Sequence, residues 1–155
     1  MTKLDSYLDQ YASSHQNPTN VLIHKFCVPI IMFSVLGLLK AIPVPEIWPL
    51  WIDWSVLAVF FSLIFYASLK NVNVFFSMVL FILPQMLLLE YLRPRFFLLC
   101  LFLFIIAWII QFIGHKIEGK KPSFLSDLFF LLIGPLWVVN FLFFSSSNFK
   151  KNPKE

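Results

Sequence analysis

The chain has 155 residues, 59% of them hydrophobic and 13% charged, with a mean hydropathy of +0.82 and a formal net charge of +4. Those proportions exclude an ordinary soluble domain. The positive charge is spread over the polar connections and the tail, which reads as interfacial anchoring and argues against a nucleic-acid partner.

Twenty Phe run through every apolar stretch, as expected of helices whose outer surface faces lipid. The expected fold is all-α: a multi-pass transmembrane helical bundle of about five membrane segments with a short N-terminal interfacial helix. Residues 1–155 are expected to form a single integral membrane domain, with 1–17 as the interfacial helix, 18–144 as the bundle and 145–155 as a basic tail. Met1 to Thr19 is polar and interrupted by Asp5 and Asp9, unlike a cleavable signal, so the first membrane helix is expected to direct insertion. Such a protein would sit in the endoplasmic reticulum if eukaryotic and in the inner (plasma) membrane if bacterial. Cys27 and Cys100 lie in apolar stretches without metal or redox spacing and read as small buried hydrophobes.

Residues 1–17 mix Tyr7, Leu8, Tyr11 and Ala12 with Asp and Gln, an amphipathic pattern suited to an interface. Asn17-Pro18 breaks it, with Asn17 as N-cap and Pro18 at the first helical position of the next helix. Val21 to Ile42 is then long enough to span a ~30 Å hydrocarbon core. Pro43, Pro45 and Pro49 make the next connection irregular, and Trp48, Trp51 and Trp54 resemble an aromatic belt.

A second membrane helix is expected over Trp54–Leu69, and a third over Val74–Glu90 with a bend at Pro84. The fourth covers Phe96–Ile113, followed by a polar loop at Lys116–Pro122 with Gly119 as C-cap. The fifth covers Ser123–Phe144, with Gly134-Pro135 as a kink or break, and Ser145–Glu155 is a frayed tail. The twelve basic residues divide evenly between the two sides of this arrangement, so the positive-inside rule does not orient it.

The three histidines are His15, His24 and His115. An even number of crossings between His24 and His115 returns all three to one membrane face. His15 and His24 are nine residues apart and would point about 180° apart on one unbroken helix. The Asn17-Pro18 break removes that objection, because a turned-back N-terminal helix can aim His15 at the same centre. Asn20, one turn before His24, has two roles open to it, orienting an imidazole or bonding a substrate oxygen. Gln111, His115 and Glu118 share a helical face, with Gln111 placed to hold the second nitrogen of a liganding histidine. For Glu118 three roles stand open: carboxylate ligand, acceptor behind a ligand, or ion-pair partner of Lys121. Lys25, Lys116, Lys120 and Lys121 lie near the mouth, where they either attract a carboxylate or snorkel to the interface.

Three neutral imidazoles suit iron or zinc and leave positions open for chemistry. With iron the set keeps the full metal charge, which suits an anionic chelate. Three histidines are too few for the repeated boxes of membrane desaturases, and no HExxH, phosphate loop or Ser/His/Asp grouping occurs. Two non-oxidative readings remain: a non-catalytic membrane lipid-binding or scaffold protein, and a zinc-binding membrane protein.

On these motifs the sequence resembles the membrane 2-hydroxy fatty acid dioxygenases of fungal phytosphingosine breakdown. The opening pattern falls on Tyr11, His15, Asn20, His24 and Pro29, and the later one on Gln111, Phe112, Gly114, His115, Glu118 and Pro122. The resemblance implies an Fe(II)-dependent α-oxidation in which O2 shortens a long-chain 2-hydroxy fatty acid by one carbon and CO2 leaves. It implies metal ligation and catalysis by His15, His24 and His115, with Tyr11, Asn20, Gln111, Lys116 and Glu118 as supporting or substrate-binding residues. Two positions depart from the expected pattern: Cys27, where Gly is expected, and Asn140, where an acidic residue is expected.

Overall fold

The computed structural model describes residues 2–92, 96–122 and 129–143. They form six helices: α1 (Lys3–Ala12), α2 (Pro18–Lys40), α3 (Trp54–Ser68), α4 (Val72–Tyr91), α5 (Phe96–Glu118) and α6 (Phe130–Phe143). No strand occurs among the described residues. Helices α2, α4 and α5 are each long and apolar enough to cross a membrane, and α3 and α6 are shorter apolar helices. Phe60, Phe61, Leu80, Leu98, Phe102 and Ile109 are exposed on the outer surface. An apolar surface of that kind suits lipid and not water, and the chain is a multi-pass helical bundle.

Local chemistry sets the helix ends. Thr2 and Asp5 form a capping box that starts α1, and the two bonds from Thr2 hold the Asp5 carboxyl below its ordinary range. Asn17 caps α2 by accepting from the Thr19 N–H at 2.9 Å, with Pro18 at the first helical position. Gly119 ends α5 in the left-handed region at φ 72°, its N–H bonded to the His115 carbonyl at 3.0 Å.

Several sequence-based boundaries move by a few residues. The expected loop over Lys116–Pro122 starts later, because α5 continues through His115 to Glu118; polarity changes there before the backbone turns. Gly134-Pro135 does not break α6, which runs helically through both residues. Pro84 likewise sits inside an uninterrupted α4. The expected start of the last helix at 123–128 and the tail at 145–155 lie outside the described residues.

Helices α2 to α5 run alternately up and down. The strongest packing joins the antiparallel pair α2 and α5, and a small residue permits close approach at each end of the pair. At one end Gly37 of α2 faces Cys100 of α5 and Leu89 of α4; at the other Gly114 of α5 faces Asn20 and Ile23 of α2. Any Cβ at Gly37 would overlap the Cys100 sulfur, and one at Gly114 the Asn20 side-chain oxygen. Cys27 and Cys100 are both buried free thiols. Amphipathic α1 lays Leu4 and Tyr11 into the main core and packs against α6.

The end of the bundle far from the histidines is tied by a buried cation. Lys40 closes α2 and pairs with Asp53 at 2.7 Å and Glu90 at 3.0 Å, joining the ends of α2, α3 and α4. Asp53 also caps α3, accepting from the N–H groups of Ser55 and Val56 at 2.9 and 3.1 Å. Burial raises the Asp53 carboxyl, but the bonds from Lys40, Ser55 and Val56 outweigh it and hold the group below its ordinary range. At the same end Trp48 and Trp54 pack with ring centroids 5.1 Å apart.

Because interhelical space at Gly37 is already filled, Gly37→Ala is expected to cost about 1–3 kcal/mol. The apparent melting temperature in detergent should fall. Adding Cys100→Ala, which removes the overlapping sulfur, should recover most of the loss.

Candidate metal centre

The three histidines arrive on different elements. His15 follows α1 in the turn before Asn17, His24 lies nearly two turns into α2, and His115 lies in the last turn of α5. All three are buried. Their ring centroids are 4.3 Å (15 to 24), 4.8 Å (24 to 115) and 5.1 Å (15 to 115) apart. One nitrogen from each ring falls within 4.8 Å of the others.

The ring orientations suit a shared cation. His15 Nδ1 bonds the Tyr11 carbonyl at 2.7 Å, and His24 Nδ1 bonds the Asn20 carbonyl at 2.9 Å. In each case Nδ1 carries the proton, since a carbonyl only accepts, and Nε2 keeps its lone pair. His15 Nε2 and His115 Nδ1 are buried without a hydrogen-bond partner among the described residues. Unpaired nitrogens at such burial are costly, and a metal ion shared by three imidazoles would satisfy them. The donor set therefore fits a transition metal. Burial pushes His15 down to about 4, against the Tyr11 carbonyl bond, so its ring is neutral and able to ligate at physiological pH.

Glu118 holds the turn that carries His15. Its carboxylate accepts from the Gln16 N–H at 2.9 Å, the Asn17 N–H at 2.8 Å and the Asn20 amide at 3.2 Å. This differs from both the ligand and the Lys121-partner roles open to it in the sequence: the acid binds the N-terminal end of α2, where the helix presents unpaired N–H groups. Lys120 adds a bond to the Ser13 carbonyl. Tyr11 stacks on His15 with centroids 4.2 Å apart and planes 9° from parallel, while Trp137 of α6 flanks the same ring at 5.6 Å. Trp137 sits in an unbroken apolar run and carries no sequence signal for this place.

The other candidates divide. Asn20 orients His24 through its backbone carbonyl, and its side chain reaches Glu118 and the Ser14 carbonyl. Gln111 makes no hydrogen bond to a histidine among the described residues; it lines a cavity of about 410 Å³ that opens from the histidines and is otherwise mostly apolar. Tyr11 lines the same cavity. Lys116 is exposed and does not, because one residue past His115 the helix has turned by about 100°. Lys25 lies 3.5 Å over the Phe141 ring. Asn140 is neither in the histidine cluster nor on the cavity wall.

The family described as "2-hydroxy-palmitic acid dioxygenase Mpo1-like" matches residues 1–146. The chain is 36% identical over 143 residues to the 2-hydroxy-palmitic acid dioxygenase MPO1 of Saccharomyces cerevisiae, covering 90% of this chain and 80% of the yeast protein. No solved structure matches it. A helical bundle with a buried three-histidine cluster beside an apolar cavity, matched along nearly its whole length, belongs to the Mpo1-like family.

Proposed function

We propose that this protein is an iron(II)-dependent dioxygenase that shortens long-chain 2-hydroxy fatty acids by one carbon. The observation that carries the reading is the buried three-histidine cluster at the polar end of an otherwise apolar cavity. The conversion balances with dioxygen as oxidant: a 2-hydroxy acid and O2 become the acid one carbon shorter, CO2 and water.

His15, His24 and His115 would hold the metal. A ferrous ion there would supply the redox chemistry that lets O2 react with a closed-shell acid. The protein's own groups do the rest. The Tyr11 and Asn20 carbonyls fix the proton on Nδ1 of His15 and His24 and leave Nε2 for ligation. Glu118 keeps His15 in place by holding the Gln16 and Asn17 backbone. The Gln111 carboxamide, one turn from His115 on the cavity wall, donates to the substrate's carboxylate or hydroxyl. The apolar wall receives the alkyl chain and excludes water from the reacting end.

Protein purified without oxygen should carry about one iron per chain and convert a 2-hydroxy fatty acid to the acid one carbon shorter. Replacing any one of the three histidines by Ala should abolish the product. Zinc in place of iron, or turnover by metal-free protein, would sink the proposal.

Gln111→Leu should leave iron content unchanged and lower kcat/KM about tenfold to a hundredfold, the loss of one hydrogen bond to a charged group. Glu118→Gln should weaken iron retention by roughly 10- to 100-fold, measured by chelator competition.

In the metal-free protein His15 takes up a proton only near pH 4, whereas the unfolded chain does so near the ordinary 6.5. Between those values the unfolded state holds more protons, so stability rises with pH. Thermal melts of metal-free protein should be level above about pH 7 and fall as pH drops from 6.5 toward 4; a melting temperature flat across that window would refute the neutral, buried ring.

A further inference from the structure

The cavity is elongated, and its long axis follows α2. His24, Val28, Met32, Leu36 and Leu39 line it along one face of that helix. They span fifteen residues, or about 22 Å at ~1.5 Å per residue. On α5 the wall runs the same way from His115 through Gln111 and Trp108 to Phe104. On antiparallel α3 it runs from Tyr66, whose hydroxyl bonds the Leu132 carbonyl at 2.9 Å, through Ser62 to Ala58. Ala58 belongs to the far end, because α3 is capped by Asp53 and Asp53 is paired with Lys40, next to Leu39.

Three walls thus share one polarity. The titratable and amide groups lie at the histidine end, and the far half is apolar apart from Ser62. The Ser62 hydroxyl is itself satisfied by the Ala58 carbonyl at 2.7 Å. A length of ~22 Å exceeds the depth of one leaflet, half of a ~30 Å hydrocarbon core, so the space suits a long extended chain. Most of the wall is bulky; Ala58 and Ser62, one turn apart on α3, are small.

We propose that this cavity is a channel for the substrate's alkyl tail and that Ser62 and Ala58 set the chain length it accepts. The inference rests on the fatty-acid reading of the site. The two residues act as successive marks on a scale: a large side chain at Ser62 closes the channel nearer the histidines than the same side chain at Ala58. The separation is four residues, about 6 Å of channel. Leu39 forms the floor, and trimming it lengthens the channel.

The test uses the full chain in detergent and a series of unbranched saturated fatty acids, which lack the 2-hydroxyl and bind without turnover. Wild-type affinity should rise roughly fourfold per added methylene until the chain fills the channel, then level off. Ala58→Phe should bring that plateau to shorter acids, Ser62→Phe to shorter acids still, and Leu39→Ala to longer ones. The same order should appear in the lengths of 2-hydroxy acids converted. If Ser62→Phe does not fold, the opposite shifts of Ala58→Phe and Leu39→Ala carry the test. One plateau common to all monodisperse variants, or the reverse order, overturns the channel assignment. Graded binding without conversion of any 2-hydroxy acid would overturn the enzymatic reading and leave the channel standing.

Discussion

The site depends on one carboxylate. Glu118 stands at the C-terminal end of α5 and takes three hydrogen bonds from Gln16, Asn17 and Asn20, about a hundred residues earlier in the chain. Those donors surround the start of α2, where the backbone carries unpaired N–H groups and a partial positive charge. By docking that end onto α5, Glu118 brings the turn bearing His15 beside His24 and His115. Its effect is greatest because the turn is short: with Asn17 and Pro18 held, His15 has only Gln16 between itself and a fixed point.

The rest of the bundle keeps this clamp in register. The α2–α5 pair is close-packed at both ends, through Gly114 beside the histidines and Gly37 at the far side. Lys40 adds the polar tie at the far side. Between the two ends the packing is apolar, and the gap among α2, α3, α5 and α6 forms the cavity. Within the cavity the polar groups sit at the histidine end, and apolar space extends away from them along α2.

Individual residues show why some of the site was readable in the chain and some was not. The Asn17-Pro18 break is local backbone chemistry, and it frees His15 to turn toward His24 despite their nine-residue separation. Gly119 as a cap is equally local. Lys116 lies exposed and off the cavity wall because adjacency to His115 in sequence means a rotation away from it on a helix. The sequence leaves three roles open to Glu118 and does not point to its partners, since two of them are backbone N–H groups, which no residue type announces. Trp137, Ser62 and Ala58 carry no sequence signal: their places beside His15 and on the cavity wall come from the neighbours that α3 and α6 acquire on packing.

The sequence by itself determined the membrane bundle, the Asn17-Pro18 break and the Gly119 cap, because hydropathy and these local backbone preferences act over a few residues. Tertiary structure alone decided that Glu118 clamps the start of α2, that Gln111 faces the cavity and not a histidine, and that the cavity extends along α2. Those outcomes depend on the rotation and depth at which helices pack. Side chains far apart in the chain set both, and no local pattern encodes them.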